Sequence, residues 1–226
     1  EKDSSFIAIG PAGESRLAAA SIATTDADNR FPNRHAGRGG LGAVMGSKGL
    51  KFVSISPGDS RVRQAAVTDN FRAFNREISS RYLDGPRGFR GGTAAFVDVA
   101  NMLNTFVYKN RTEGQSPDVE NLCGARINES FEKRGGKMHA CLSGCIVQCS
   151  NVVHDEDGNY LTSGLEFETL TLLGANIAME SWEYVAQLDR LCDDVGLDTI
   201  ETGSALAVLM DAGRAEWGDI DEAKRI

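Results

Sequence analysis

Three cysteines, Cys141, Cys145 and Cys149, fall within nine residues. Thiols four apart on a loop or at a helix start can point at one centre, and thiolates favour zinc or iron–sulfur clusters. An Fe4S4 cluster needs a fourth ligand. His139 and Cys192 are the local candidates, unless the ligand lies outside the chain. Structural zinc usually shows two C-x2–4-C pairs or a Cys/His pair, and one triplet fits that poorly. The competing reading is three thiols packed as small hydrophobes. With Cys123 the cysteines number five, a poor disulfide framework and one that suits a reducing, cytoplasmic setting.

Two carboxylate groups follow. Glu166 and Glu168, in Glu166-Phe167-Glu168-Thr169, could serve acid/base work beside a metal centre. They could equally be acidic residues in the first turn of a helix. Asp193 ends one helix pattern, and Asp198 or Thr199 can cap the next.

Upstream, Gly37-Arg38-Gly39-Gly40-Leu41-Gly42 matches the G-x-G-x-x-G dinucleotide fingerprint, but its context fails. A polar, proline-containing stretch precedes it instead of a buried strand, and only Ala43-Val44-Met45 follows before Gly46. The physical content survives: a glycine-dense backbone allows close approach to a ligand, and Arg34, Arg38 and Lys48 suit phosphate. A glycine-rich turn with solvated arginines is the plainer alternative.

These residues need elements to position them. Phe6–Ile9 and Lys51–Ser56 read as strands, the second half-buried, with a polar loop from Thr24 to His35 between them. A helix starting at Thr68 or Asp69 carries Phe71, Phe74 and Ile78 and stops at Asp84-Gly85-Pro86. Arg87–Gly92 is a second glycine-rich loop. Thr93 caps a helix with Phe96, Val99, Met102 and Leu103 as its stripe. Residues 104–137 read as polar and irregular. Helices follow over Glu166–Ala178 (Leu170, Leu173, Ile177), over Ser181–Val195 (Trp182, Val185, Leu188, Leu191) and from about Glu201 (Leu206, Leu209, Met210), with Gly213 at the last one's end. The expected fold class is α+β: the end of a β-rich cofactor-binding domain over 1–58, then a mainly α-helical domain over 59–226.

Composition sets the bounds. The chain has 226 residues and a net charge of -8, which argues against a nucleic-acid surface. No stretch approaches the ~20 apolar residues of a membrane span. Glycine is 25 of 226 residues, above the usual level of about 7%. The chain starts at Glu1 and reads as an internal section of something longer. Asn110-Arg111-Thr112 and Asn128-Glu129-Ser130 are read as chance glycosylation triplets.

Taken in order, the motifs resemble the tungsten-containing aldehyde ferredoxin oxidoreductase family. The resemblance runs from Ile9-Gly10-Pro11-Ala12-Gly13-Glu14 through the block from Arg34 to Lys51. It continues in the cysteine triplet, Glu166-Phe167-Glu168-Thr169, Leu173-Gly174-Ala175-Asn176 and Asp193-x-x-Gly196-Leu197-Asp198-Thr199-Ile200. It implies that Arg34, His35, Gly37 and Arg38, with Asp193, Leu197 and Asp198, hold a tungstopterin (or molybdopterin). It implies Cys141, Cys145 and Cys149 as ligands of a [4Fe-4S] cluster, and Glu168, or else Glu166, near the metal. The implied reaction is oxidation of an aldehyde to a carboxylic acid. Electrons would leave through the cluster to ferredoxin or an iron–sulfur partner subunit, in a homo- or hetero-oligomer. A benzoyl-CoA type ring reductase, or a non-catalytic iron–sulfur module, is the alternative. Two departures stand out. The spacing is C-x3-C-x3-C where the family has C-x2-C-x3-C, and the family's fourth cysteine lies beyond the motifs present here.

Overall fold

Why the first residues form strands is local: short apolar runs are cut by glycine and proline. The computed structural model describes residues 4–26, 31–59, 65–84, 91–142 and 144–226. β1 (Ser5–Ala8) stops before Gly10, and Pro11 opens the short α1 (Pro11–Glu14), a position where its missing N–H costs no hydrogen bond. β2 (Ile22–Thr24) and β3 (Arg34–Ala36) follow, then α2 (Leu41–Ser47) and β4 (Phe52–Ile55). The four strands form one antiparallel sheet in the order β3-β2-β1-β4. The expected loop from Thr24 to His35 therefore holds the end of β2 and the start of β3. The half-buried reading of β4 does not hold: Phe52, Val53 and Ile55 are all exposed on this edge strand.

The glycines of the block after β3 mostly serve packing. A Cβ on Gly42 would collide with the Ser21 carbonyl, and one on Gly46 with the Gly13 carbonyl. Their absence lets α2 lie directly on α1 at Gly46 and on the Ala20–Ser21 backbone at Gly42.

α3 (Thr68–Asp84) forms as expected, but Phe71, Phe74 and Ile78 are exposed. Its stop at Gly85-Pro86 and most of the Arg87–Gly92 loop lie outside the described residues. A 3-10 turn, Thr93–Phe96, runs into α4 (Val97–Met102). Here the buried face is Ala94, Val97 and Ala100, whereas Phe96, Val99, Met102 and Leu103 are exposed. Small residues face inward because Gly124 packs its backbone against Ala94, where a Cβ would be too close.

The stretch expected to be irregular contains α5 (Val119–Leu122) and the eleven-residue α6 (Gly124–Arg134). Ile127 is buried and Lys133 and Arg134 sit in the last turn of α6, before a left-handed Gly135. β5 (Lys137–His139), β6 (Ser150–His154) and β7 (Tyr160–Ser163) form a second antiparallel sheet. The helix expected over Glu166–Ala178 is broken. α7 (Phe167–Leu172) ends two residues before Gly174, and a 3-10 turn spans Ala175–Ile177. α8 (Trp182–Val195), α9 (Thr199–Asp211) and α10 (Ile220–Arg225) complete the helical part. Its core includes the fully buried Phe106, Leu122, Leu170, Ile177 and Trp182.

The first sheet and the helices are stitched in two ways. By backbone, Asp198 N donates to the Ala19 carbonyl (2.9 Å), and Ser21 N donates to the Gly196 carbonyl (2.9 Å). Gly10 lies so close to the Val195 carbonyl that a Cβ would collide. By side chain, the buried Asp26 carboxylate accepts from Arg34 Nε (2.9 Å) on β3 and from His139 Nε2 (3.2 Å) on β5. Arg34 Nη1 also donates to Ser150 Oγ (3.0 Å) on β6. Removing one partner of a buried charged cluster strands the others. Asp26→Ala is therefore expected to cost about 3 kcal/mol in urea unfolding of the full-length protein, with Asp26→Asn costing less. Equal stability of Asp26→Ala and wild type would contradict the role given to this network.

Candidate cofactor cleft

A cleft of about 540 Å³ opens where β3 meets the second sheet and α7, α8 and α9. Three short pieces of chain supply its chemistry. β3 and the turn after it bring Arg34, His35, Gly37 and Arg38. The start of α7 brings Glu166 and Glu168. The end of α8 and start of α9 bring Asp189, Asp193, Leu197 and Asp198. Nine of these line the cleft as sequence-expected residues; Asp189 is an addition. It sits one helical turn before Asp193, a spacing that puts both on one face of α8.

The wall from α8 is tied to β3 through His35. Its Nε2–H faces the Asp193 carboxylate (Oδ1, 3.1 Å) and the Pro32 carbonyl (2.5 Å). Nδ1 contacts Ser21 Oγ at 2.7 Å. Burial alone lowers the His35 pKa. The hydrogen bond and charge of Asp193, with Pro32 and the charge of Asp198, outweigh it, and the net shift is upward from 6.5. Asp193 is itself raised, chiefly by burial, with His35 and Arg190 opposing. Asp198 caps α9, accepting from Glu201 N through Oδ2 (2.8 Å). Its other oxygen lies against Gly37, where a Cβ would collide. Gly37 is thus the one glycine of the block whose lack of a side chain shapes the cleft itself.

The two glutamates differ. Glu166 is half-buried at the N-cap of α7. The Thr93 hydroxyl donates to Glu166 Oε2 and accepts from the Phe167 N–H (2.9 Å). Burial raises the Glu166 pKa, while Thr93 and the Arg34 charge pull it down. Glu168 is open to the cleft, 4.0 Å from Arg38, with both side chains about half exposed or more.

The donor set suits a polyanionic group that hydrogen-bonds through both donors and acceptors, as a pterin phosphate does. Two atoms carry that test. Arg34 Nη2 and Asp193 Oδ2 are buried without a hydrogen-bond partner among the described residues, and such groups ordinarily find one.

The cysteine loop is arranged differently. Cys141, Cys145 and Cys149 are free thiols on the connection between β5 and β6, with Cys141 exposed and the others half-buried. Burial, then Glu166, then the two other thiols push the Cys149 pKa up. Among the described residues no three His, Cys, Asp or Glu side chains converge to hold a single ion. Cubane thiolates bind separate irons, so they need not converge in that way. His139 is committed to Asp26. Cys192 is buried in α8 and its thiol pKa is raised far by burial; both are structural.

Comparison with known proteins follows the same residues. A family model described as "Aldehyde ferredoxin oxidoreductase, domains 2 & 3" matches residues 74–224, and the corresponding "N-terminal domain" model matches residues 1–57. The chain belongs to the aldehyde ferredoxin oxidoreductase family. It is 32% identical over 208 residues to the tungsten-containing aldehyde ferredoxin oxidoreductase of Pyrococcus furiosus, covering 90% of this chain and 32% of the relative. It is 31% identical over 207 residues to that of Thermococcus kodakarensis, with 90% and 32% covered. It is 29% identical over 210 residues to the aliphatic sulfonate oxidoreductase, WOR-like subunit, of P. furiosus, with 91% and 32% covered. The chain thus spans about a third of the length of these curated relatives. The active site complex BamBC of benzoyl coenzyme A reductase shares its fold, with a TM-score of 0.65 at 19% identity over 98% of this chain and 35% of that one. Among the described residues no helix is long and apolar enough to cross a membrane.

The linkage of His35 to Asp193 makes a signed prediction. A histidine whose folded pKa is raised adds stability that is complete below about pH 6.5 and fades as pH rises through the folded value. Between about pH 6 and pH 8 the wild-type urea midpoint should therefore fall. In Asp193→Asn the lowering effect of burial on His35 remains, so this fall should shrink or reverse. An unchanged slope in the variant would contradict the pairing.

Proposed function

We propose that this chain forms the cofactor-binding portion of an enzyme that oxidises aldehydes to carboxylic acids at a tungsten (or molybdenum) bis-pterin centre. The observation that carries the reading is the cleft itself. One cavity gathers the arginine–glycine turn after β3, both glutamates of Glu166-Phe167-Glu168 and the aspartates of Asp193-x-x-Gly196-Leu197-Asp198. Residues 1–58 would be the end of the β-rich pterin domain and 59–226 the helical domain carrying the cysteines.

When bound, the metal centre supplies two-electron redox chemistry, the protein's part being to bind, orient and tune. Overall, aldehyde and water give carboxylic acid, two protons and two electrons. Arg34 and Arg38 would bind phosphate, Arg34 offering its unpartnered Nη2. Asp193 and Asp198 would accept from ring N–H groups, with Gly37 and Leu197 shaping the wall. His35, itself on the cleft wall, would hold Asp193 in place. Glu168, the more open carboxylate, is the group to take a proton from the reacting water. Glu166, fixed by Thr93, would hold the start of α7 and so aim Glu168. Cys141, Cys145 and Cys149 would ligate a [4Fe-4S] cluster that receives electrons singly and passes them to ferredoxin or an iron–sulfur subunit.

The test uses the full-length protein. Metal analysis should find tungsten or molybdenum, and steady-state assays should find aldehyde oxidation. Glu168→Gln should lower kcat about a hundredfold or more, with metal and iron content unchanged. Absence of both metals, or an undiminished kcat, would overturn the reading. Turnover of aromatic thioesters in place of aldehydes would reassign the substrate.

A further inference from the structure

Asp189 lines the cleft from α8 and is only 5% exposed. The fully buried Thr162 of β7 donates to its Oδ2 at 2.6 Å. Each charged group near it has a partner of its own, and among the described residues none of them hydrogen-bonds to Asp189. Asp193, of the same sign, is paired with His35 of β3. Arg190, on the same helix, is bonded to Asp194 and lies over the Phe31 ring, 4.9 Å from its centroid. Arg34 is held by Asp26 and Ser150 and acts on Asp189 only through space.

An ionised Asp189 would be a buried anion with, among the described residues, a single neutral hydrogen bond and a second carboxylate one turn away. Burial of that kind strongly disfavours the charged form. Burial first, and Asp193 second, push its pKa well above the ordinary carboxylate value. Because Oδ2 accepts from Thr162, the proton resides on Oδ1.

We propose that Asp189 is a further ligand-binding residue of the cleft, a neutral carboxyl that donates a hydrogen bond from Oδ1 to an acceptor atom of the bound ring system. The cleft floor then pairs a donor, Asp189, with an acceptor, Asp193, one helical turn apart. That pattern would read one edge of a heterocycle in a fixed orientation. The ring's identity rests on the pterin reading, whereas the neutral carboxyl does not.

Two measurements on the full-length protein separate these points. Infrared difference spectra of cofactor-free protein at about pH 7 should show a protonated-carboxyl band in wild type that Asp189→Asn removes. No such band would overturn the proposal. Pterin retained through purification should be unchanged within about twofold in Asp189→Asn, whose amide keeps both the acceptor for Thr162 and the donor. It should be about three- to tenfold lower in Asp189→Leu. Equal loss in both variants, or none in Asp189→Leu, would overturn the donor role. Wild type lacking pterin, with the band intact, would overturn the pterin reading and the donor role that rests on it, while upholding the neutral carboxyl.

Discussion

Asp26 is a carboxylate with no exposed side-chain surface, and the geometry of the cleft depends on how its charge is met. Arg34 and His139 bond to the same oxygen. Arg34 then reaches Ser150, the residue directly after Cys149. One buried charge thus fixes the end of β2, the arginine on the cleft wall and both flanks of the cysteine loop. A buried network of this kind contributes little net stability, but it leaves few alternative arrangements once all members are satisfied. The backbone pairing of residues 19–21 with 196–198 adds a second fixed join on the opposite side of the cleft.

Between those joins, the cleft is asymmetric in charge. The β3 wall is cationic, through Arg34 and Arg38, and the α8 and α9 wall is acidic. Such polarity would orient a ligand that has phosphate at one end and hydrogen-bonding ring edges at the other. The acidic wall is kept from self-repulsion by three means. His35 neutralises Asp193, Asp198 spends one oxygen on the α9 N-terminus, and burial drives Asp189 toward its neutral form. The burial that raises the pKa values of Asp189 and Asp193 would also strengthen their hydrogen bonds to a bound group.

Much of this was legible in the sequence, and the misses have physical reasons. The family resemblance carried by the ordered short motifs named Arg34, Glu168, Asp193 and Asp198 as site residues, and all four line one cleft. The helices of Ser181–Val195 and beyond were legible because long apolar periodicity is a strong signal. β3 was hidden because three residues of Arg-His-Ala carry no alternating pattern. α6 was hidden by its polar surface, although Ile127, Phe131 and Gly135 mark a face and an end. The wrong stripe on α4 arose because large apolar residues suggest burial, while close backbone approach at Gly124 leaves room only for a small residue at Ala94, and Val97 and Ala100 are buried after it. Asp189 belongs to no motif; only the register of α8 against β7 reveals it. The glycine density suggested a phosphate cradle, yet Gly46 serves the contact of α2 with α1, Gly42 that of α2 with the Ala20–Ser21 backbone, and of this block Gly37 alone borders the cleft.

The claim on which the account turns is that the cleft between β3 and the α7–α9 segment seats the redox cofactor. Anomalous diffraction at a tungsten or molybdenum absorption edge, on crystals of the loaded full-length protein, tests it most directly. The account predicts a single heavy-atom peak in the cleft facing Glu168, with ring density against Asp193 and Asp198 and phosphate density beside Arg34 and Arg38. A peak elsewhere in the molecule, or an empty cleft in protein that carries the metal, would contradict it.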